Sequence, residues 1–365
     1  MTGPSIRPWV ILAEGQRLRW GGDLRRHYIF SELARRTGGR VVDGWHAREF
    51  RPALLRPRGH LWTRPARVAS CELLDPAALE VVQRRAVPAV LDFHDDPVIH
   101  REALGVPGST EEMAALRDRR AANWATFHWL ISQSASFTAL AGLDSARTII
   151  APNASETTRI VPGPWPSEPS IGFVSGAAPG RGIETLVDAA RLVRAEIADL
   201  RLRLWLVATG EASERYLGEL RASCASESWI EIATAPYGRL SEALAAATVL
   251  AIPHPRISYW DAILPVKLFD SMAAGRPLVV TPRFETAQLV DRARIGIVAD
   301  GDRAEDLATA LARLLGDPKL ARELGARGRE AAERDYDWRV VSSRLADELL
   351  APRRYHPVVG ILRGR

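Results

Sequence analysis

Short apolar runs alternate with amphipathic stretches along almost the whole chain, and this alternation restricts the fold more than any other feature of the sequence. The runs are rich in leucine and β-branched residues, which is typical of buried parallel strands. They span 9–13, 89–93, 129–132, 148–151, 171–175, 202–208, 229–233, 248–252 and 278–281. Between them, apolar residues recur at helical spacing, as in 24–36 and 183–195. The alternation predicts an α/β protein whose doubly wound sheets carry helices on both faces.

A proline-rich segment divides the chain into two parts of similar size. Its prolines are Pro162, Pro164, Pro166 and Pro169, and such a run can form neither a helix nor a central strand. A chain of 365 residues is long enough for two domains. We predict two Rossmann-like domains, 1–160 and 171–336, which are joined by a linker at 161–170 and face each other across a cleft. Residues 337–365 are predicted to form a C-terminal helix and a basic tail that can cross back to the first domain.

The composition excludes several classes of protein. The only two cysteines, Cys71 and Cys224, exclude a disulfide framework and a cysteine-based zinc or iron–sulfur site. No apolar run is long enough to span a bilayer and no secretory signal is visible, so a cytoplasmic location is expected. The net charge of +5 suits anionic partners such as nucleotides, phosphates or a membrane face. No arginine-rich helix carries interleaved aromatic residues, so no nucleic-acid partner is predicted.

Almost all of the basic residues are arginines, and the only lysines are Lys267 and Lys319. The basic helix 24–36 and the arginines of the tail could make peripheral contact with the inner face of an anionic membrane. The alternative for both is a solvated charged face. The tail arginines are Arg353, Arg354, Arg363 and Arg365.

Ligands of open parallel sheets bind at the carboxyl ends of the strands, so the loops there are the candidates for function. Gly21 and Gly22 follow the first strand, and their lack of side chains lets a ligand approach the backbone closely. The alternative is an ordinary helix start that is capped by Asp23.

A second candidate loop holds His94, which can bind a sugar hydroxyl or a substrate carbonyl. One alternative is a helix-capping turn in which Asp95 or Asp96 is the N-cap. Another is a metal site, but a single histidine among aspartates has no defined ligand spacing. We favour contact between His94 and the substrate.

The third loop runs from a strand into a helix and carries Arg181 between glycines. Gly176 and Gly182 keep the loop slim, and a guanidinium at a helix entrance suits a diphosphate. The alternative is a solvated surface charge, which is the usual place for an arginine in such an arginine-rich chain.

The fourth loop, 259–277, leads into a helix that carries Lys267 and Asp270. Their i, i+3 spacing places both on one face of the helix. An ammonium and a carboxylate there can hold a phosphate and a ribose diol, whereas the alternative is a weak surface ion pair. A lysine in a chain whose cations are nearly all arginines indicates that a compact ammonium is needed at this position.

The second half of the chain resembles the C-terminal domain of GT-B-fold glycosyltransferases, specifically of the retaining family 4 type. The resemblance rests on the order and spacing of the segments 183–190, 265–280, 296–298, 327–332 and 337–339. It covers about 170–350. The first half matches more loosely, through the Gly21-Gly22 pair, the His94 loop and 150–153.

The resemblance implies a hexosyltransferase that moves a sugar from a nucleoside-diphosphate sugar to an acceptor hydroxyl, with retention of configuration and without a cofactor or metal. It implies that the first domain binds the acceptor, which can be a glycan, a lipid-linked molecule or a small molecule. The second domain would bind the nucleotide sugar.

The resemblance also implies residue roles. Arg181 and Lys267 would hold the donor diphosphate, and Asp270 would bind the ribose in place of the second glutamate of the family's Glu-x7-Glu motif. Gly21 and Gly22 would border the diphosphate and the acceptor, and His94 would touch the transferred sugar. The expected donor-binding residues also include Gly176, Gly182, Ile263, Leu264 and Pro265.

This sequence departs from the family pattern at two positions. Gly176 stands where the family has an arginine, and Ala262 stands in place of the first glutamate, with Asp261 one residue away. A non-catalytic GT-B-like binding or regulatory protein is therefore an alternative, and a nucleotide-sugar epimerase is another. The Asp335-Tyr336-Asp337 triplet resembles the metal signature of a different transferase fold, but it lies between helices rather than after a strand.

Overall fold

The strands of the computed structural model form two separate parallel sheets, as the alternating pattern predicts. The structure describes residues 10–13, 21–43, 67–71, 73–85, 88–105, 108–234 and 236–351. Within these ranges each sheet has six strands. The predicted tail arginines 353–365 and residue 9 of the first predicted strand lie outside the described residues.

The first sheet has the strand order β2-β1-β3-β4-β5-β6, and each neighbouring pair is parallel. Its strands are β1 (Val10–Ala13), β2 (Arg40–Asp43), β3 (Val68–Ser70), β4 (Ala89–Asp92), β5 (Trp129–Ser132) and β6 (Thr148–Ile150). Its helices are α1 (Gly21–Thr37), α2 (Pro76–Arg85), α3 (Pro97–Ala103), α4 (Thr110–Thr126) and α5 (Ala135–Leu140). The predicted strands did not include β2 and β3, which contain only two consecutive apolar residues each.

The second sheet is the doubly wound order β12-β11-β10-β7-β8-β9. Its strands are β7 (Ser170–Gly176), β8 (Arg201–Val207), β9 (Ile230–Ala233), β10 (Val249–Ile252), β11 (Leu278–Val280) and β12 (Gly296–Val298). Its helices are α6 (Ile183–Glu196), α7 (Glu211–Ser223), α8 (Leu240–Ala245), α9 (Ser258–Ala262), α10 (Val266–Ala273), α11 (Phe284–Ala293), α12 (Ala304–Leu315) and α13 (Pro318–Asp335). The chain winds outwards in both directions from β7 and β10, so the crevice of this sheet lies at their carboxyl ends.

A last helix, α14 (Trp338–Leu350), returns to the first domain and packs on α1. Trp338 and Leu345 are buried in the same core cluster as Leu24 and Phe30. Asp337 caps α14 by accepting a hydrogen bond from the backbone nitrogen of Arg339 at 2.8 Å. Asp337 therefore marks the start of a separate helix, since α13 ends at Asp335 and α14 begins at Trp338.

The proline-rich segment lies against the second domain. The carbonyl oxygens of Gly163 and Pro164 accept hydrogen bonds from Arg276 Nη2 at 3.1 and 2.7 Å. The chain passes between the domains before this segment, at 152–155, where the Asn153 amide nitrogen donates to the carbonyl oxygen of Leu264 at 2.9 Å. The prolines therefore stiffen an edge of the second domain.

The basic helix α1, for which membrane contact and a solvated charged face are the two alternatives, directs some of its arginines into the protein. Arg25 of α1 is fully buried and pairs with Asp92 at 2.8 Å. Arg36 pairs with Glu32 of the same helix at 2.6 Å and also contacts Asp347 of α14. Part of the basic charge of α1 is therefore paired within the protein, while the Arg35 side chain is 68% exposed. No helix in the described part of the chain is long and apolar enough to cross a membrane.

Candidate functional site

Lys267 is held at the switch point of the second sheet. Its ammonium donates to Ser175 Oγ at 3.1 Å at the end of β7 and lies 3.5 Å from Nε2 of His254, which follows β10. It also lies 4.5 Å from the ring centre of Phe173. Burial, together with the nearby Arg181 charge, holds the pKa of Lys267 well below its usual range. The structure thus places the predicted lysine in the crevice rather than in a surface ion pair.

Arg181 approaches Lys267 from the loop after β7. Its guanidinium carbon lies 5.8 Å from the ring centre of Trp260, and burial lowers its pKa. Its buried Nε has no hydrogen-bond partner within the described residues. Arg181 and Lys267, which are distant in sequence, therefore bring two positive charges to one place without a neutralising carboxylate on either.

Two further basic residues, His254 and Arg283, lie near Arg181 and Lys267 and were not selected from the sequence. His254 is fully buried, and its ring stacks on Trp260 at 3.8 Å between centres. The side chain of Arg283, after β11, is only 2% exposed, and its nearest carboxylates are those of Asp261 at 3.6 Å and Asp302 at 3.9 Å. Both residues follow strands of the second sheet, so the rule that selected Arg181 would also have selected them.

Gly182 brings the start of α6 against this cluster. Its φ of 75° is left-handed, and a Cβ there would lie 1.7 Å from the carbonyl oxygen of Pro253. Only glycine permits this approach. Because no side chain caps α6, its first amides and its positive dipole end remain available to an anion. At Gly176, an added Cβ would lie 3.8 Å from the Arg181 guanidinium carbon, so this glycine is adjacent to the cluster.

Asp270 shares α10 with Lys267 but faces the interdomain connection. It is buried and accepts a hydrogen bond from Ser155 Oγ at 2.7 Å. Burial raises its pKa to about 7, with a smaller contribution in the same direction from Glu156. The alternative of a Lys267–Asp270 surface ion pair is wrong, because the two side chains have different partners.

The predicted donor-binding segment from Ile263 to Pro265 is bound by the first domain. The Ser134 hydroxyl donates to the carbonyl oxygen of Ala262 at 2.6 Å, and the backbone nitrogen of Leu264 donates to Gln133 Oε1 at 2.9 Å. The Ile263 side chain joins the apolar cluster of the first domain. The backbone of this segment thus holds the two domains together in this structure.

His94 lies at the carboxyl end of β4, on the opposite side of the cleft. Its Nδ1 is 3.4 Å from Asp92 Oδ2, and its carbonyl oxygen accepts from Gln133 Nε2 at 2.6 Å. Burial opposes the ionisation of Asp92, but the Arg25 guanidinium and His94 outweigh it and hold its pKa well below the usual range. Asp96 caps α3, as the alternative for this loop proposed, and His94 remains 16% exposed.

Gly21 and Gly22 open α1, so Asp23 lies in its first turn rather than before it. One turn later Arg25 donates to the carbonyl oxygen of Ala151, directly after β6, at 2.9 Å. The start of α1 therefore lies at the carboxyl edge of the first sheet, which is the edge that also carries His94.

Both carboxylates of the Asp335-Tyr336-Asp337 triplet already have partners in the protein. Asp335 pairs with Arg334 at 2.8 Å and with Arg344 at 3.2 Å, and Asp337 accepts from the Thr157 hydroxyl at 2.6 Å. Over the described ranges, no group of three or more histidine, cysteine, aspartate or glutamate side chains is placed to hold a metal ion.

Residues 168–317 match the family described as Glycosyl transferases group 1. A GDP-mannose-dependent monoacylated alpha-(1-6)-phosphatidylinositol monomannoside mannosyltransferase of Corynebacterium glutamicum is 28% identical over 213 residues, 57% of this chain and 54% of the relative. D-inositol 3-phosphate glycosyltransferase of Nocardia farcinica is 27% identical over 268 residues, 67% of this chain and 57% of the relative. The chain spans about half the length of the curated relatives it matches.

Solved structures match the fold over almost the whole chain. Sucrose-phosphate synthase from Thermosynechococcus elongatus superimposes with a TM-score of 0.71 at 16% identity, covering 94% of this chain and 98% of that one. HepE of Anabaena, solved in complex with UDP and glucose, gives a TM-score of 0.69 at 15% identity, covering 95% of this chain and 100% of that one.

Proposed function

We propose that this chain is a GT-B glycosyltransferase that transfers a sugar from a nucleoside-diphosphate sugar to an acceptor hydroxyl. Its match to Glycosyl transferases group 1 over 168–317 and the likeness of its fold to sucrose-phosphate synthase support the proposal. The observation that carries the proposal is the convergence of Arg181 and Lys267 at the switch point of the second sheet. Buried cations without carboxylate partners are costly, so a site that collects them is suited to an anion. A donor diphosphate supplies two negative charges at once.

The cation cluster would lower the main barrier of the transfer. Breaking the bond to the sugar leaves negative charge on the departing diphosphate and positive charge on the sugar ring. Fixed charges on Arg181 and Lys267, and the amides that open α6, stabilise that leaving group before it forms, without reorganisation during the reaction. We propose that these groups supply the charge stabilisation that other enzymes obtain from a bound metal. His94 faces the cleft from the first domain and would touch the transferred sugar.

The donor and acceptor classes follow from the relatives as proposals. HepE of Anabaena has been solved in complex with UDP and glucose and in complex with UDP-glucose, and the mannosyltransferases are named as GDP-mannose-dependent. UDP-glucose and GDP-mannose are therefore the first donors to test. A lipid-linked acceptor would agree with cytoplasmic action at the inner face of a membrane, for which cell fractionation gives a direct measurement.

The test is transfer or hydrolysis of radiolabelled nucleotide sugars by the purified protein and by two lysine variants. We expect Lys267→Ala to lower the rate by about a hundredfold to a thousandfold, the effect of losing one transition-state charge contact. Lys319→Ala, at the only other lysine, is the matched control and should retain full activity. Equal rates for Lys267→Ala and the native protein would contradict the proposed role of Lys267.

The same assay tests the finer parts of the proposal. Activity should survive EDTA, and NMR of the early product should show the anomeric configuration of the donor. Loss of activity with EDTA that a divalent metal restores would contradict metal independence, and an inverted anomer would contradict retention.

A second candidate is a protein that binds nucleotide sugars without turnover. The specific observation is Ala262, whose side chain cannot contact a sugar hydroxyl and whose carbonyl is bound by Ser134. Asp261 does not replace the missing carboxylate, because it accepts from the backbone nitrogen of Phe284 at 3.3 Å. Tight binding of a nucleotide sugar, with neither transfer nor hydrolysis across the panel, would favour this candidate.

A further inference from the structure

His254 is packed at the centre of the cation cluster. It is fully buried, and its ring is held by the stack on Trp260 at 3.8 Å between centres. Its Nε2 faces the Lys267 ammonium at 3.5 Å. Its Nδ1 has no hydrogen-bond partner among the residues that the structure describes. Such a ring is fixed in place, and when Nε2 accepts a hydrogen bond from Lys267 the neutral ring carries its single proton on Nδ1.

Every element around His254 presents a cation or an uncharged group to it. Arg181 comes from the loop after β7, Lys267 from α10 and Arg283 from the loop after β11, and all three charges act on the imidazole. Thr281 donates its hydroxyl to the His254 carbonyl oxygen at 2.6 Å. The carboxylates of Asp261 and Asp302 lie beside Arg283, at 3.6 and 3.9 Å from its nitrogens. Tyr259 of α9 directs its hydroxyl to Asp95.

Because these positive charges lie close together, His254 and Lys267 are not readily protonated at the same time while no anion is bound. Burial, then the Lys267, Arg181 and Arg283 charges, hold the pKa of His254 well below its usual range. Burial and Arg181 act in the same direction on Lys267. A neutral His254 can accept a hydrogen bond from the Lys267 ammonium through Nε2, whereas a protonated ring would repel that ammonium.

We propose that His254 is a positioning residue for Lys267, and that the His254–Lys267 pair takes up a proton from solvent when a nucleoside-diphosphate sugar binds. The inference rests on the proposed function, because the diphosphate is the anion that reverses the sign of the local field. With two phosphate charges beside Lys267, the second proton on the pair is stabilised rather than repelled. The proton comes from water or buffer and adds to Nε2 of His254 as the Lys267 ammonium turns from the ring to the phosphates, so His254 positions Lys267 in the empty site. No other bond forms or breaks in this step.

The experiment is isothermal titration calorimetry of the full chain with UDP-glucose and GDP-mannose, in buffers of equal pH and different ionisation enthalpy. Both ligands are diphosphate diesters, so neither titrates near neutral pH. The slope of the observed enthalpy against buffer enthalpy gives the protons taken up. We expect an uptake of about 0.5 to 1 proton per donor near neutral pH, and an affinity that falls as pH rises.

His254→Gln tests the assignment, because the amide can still accept from Lys267 but does not titrate. We expect it to remove at least about half of the uptake while binding is retained. His128→Gln is the control, since His128 is a half-buried histidine whose pKa is also lowered by burial but which lies in the first domain. Its uptake should equal that of the native protein.

The outcomes distinguish failure of the proton-uptake inference from failure of the proposed function. Donor binding without proton uptake by the native protein would overturn the inference and leave the proposed function standing. Unchanged uptake in His254→Gln would overturn the role of His254. Failure to bind any nucleotide sugar would instead overturn the proposed function. Nitrogen-15 NMR of the native protein, labelled at histidine, gives a reading that needs no variant, because an imidazole spectrum unaltered by donor would contradict the inference.

Discussion

At the scale of single residues, two neighbours on one helix face have opposite surroundings. Lys267 and Asp270 lie three positions apart on α10, and their spacing alone is compatible with an ion pair. The structure directs the lysine to Ser175 and the aspartate to Ser155 instead. The lysine therefore lies in the crevice of the second sheet, and the carboxyl group lies under the connection between the domains.

The burial of Asp270 predicts a pH dependence of stability. Its pKa in the folded protein is about 7, above the ordinary value of 3.8, so between these values the folded state binds a proton that the unfolded state lacks. Its contribution to stability therefore falls as pH rises from about 4 through about 7. We expect Asp270→Asn to gain about 2 to 3 kcal/mol relative to the native protein between about pH 5 and pH 8, as measured by urea unfolding.

Ser155→Ala is a useful companion to this variant. The Ser155 hydrogen bond favours the ionised form of Asp270, so its loss should steepen the fall in stability with pH rather than remove it. A stability difference between Asp270→Asn and the native protein that is the same at both pH values would contradict the burial argument.

At the scale of elements, α14 completes a domain that lies far from it in sequence. Its apolar residues share a core cluster with α1 and with strands of the first sheet. Trp338 is fully buried, while Leu350 at the end of the helix is 37% exposed. The first domain is thus covered by the last described helix of the chain, and this coverage ties the stability of the first domain to the C-terminal part of the chain.

A leucine pair tests this dependence. We expect Leu345→Ala to destabilise the protein by about 2 to 5 kcal/mol, because Leu345 is 3% exposed and its loss leaves a cavity against α1. Leu350→Ala should cost far less. Urea unfolding measures the loss, and hydrogen exchange should show it in the amides of α1. Faster exchange confined to α14 would contradict the shared core.

At the scale of the whole molecule, polar side chains of the first domain form hydrogen bonds with the backbone of the second. We call the contacts of Gln133 and Asn153 with Leu264 the interdomain clasp. Gln133 accepts from the backbone nitrogen of Leu264 at 2.9 Å, and Asn153 donates to its carbonyl oxygen at 2.9 Å. Ser136 adds a hydrogen bond from its backbone nitrogen to Glu285 Oε1 at 3.1 Å. The segment expected to meet the donor is therefore also the segment that sets how the domains face each other.

Removal of the Gln133 hydrogen bond from this clasp should increase the separation of the two domains. Gln133→Ala leaves the buried nitrogen of Leu264 unpaired, at a cost of about 1 to 3 kcal/mol in the closed arrangement. We expect a larger radius of gyration by small-angle scattering and faster hydrogen exchange at 262–265. Gln83→Ala is the control, since its hydrogen bond to Thr126 Oγ1 at 2.8 Å lies within the first domain. Identical scattering from both variants and the native protein would contradict the clasp.

Local patterns predicted the architecture because each strand of a parallel sheet is buried on both faces. The run 129–132 coincides with β5, and the resemblance to GT-B-fold glycosyltransferases that the second half indicated is confirmed. Assignment to family 4 stays a prediction, as do the roles of the chosen site residues. β2 and β3 escaped notice because each contains only two consecutive apolar residues, too few to stand out as an apolar run.

The amino-acid sequence alone determined the two α/β domains and the strand ends at which Arg181 and Lys267 stand, because burial and helix starts depend on neighbouring residues. Only the tertiary structure decided that His254 and Arg283 lie beside Arg181 and Lys267. It also decided that Gln133 accepts a hydrogen bond from the backbone nitrogen of Leu264. Both kinds of contact join segments far apart in the chain. The first depends on how the strand ends of the second sheet pack together, and the second depends on the packing of the two domains and on a backbone atom that every residue carries.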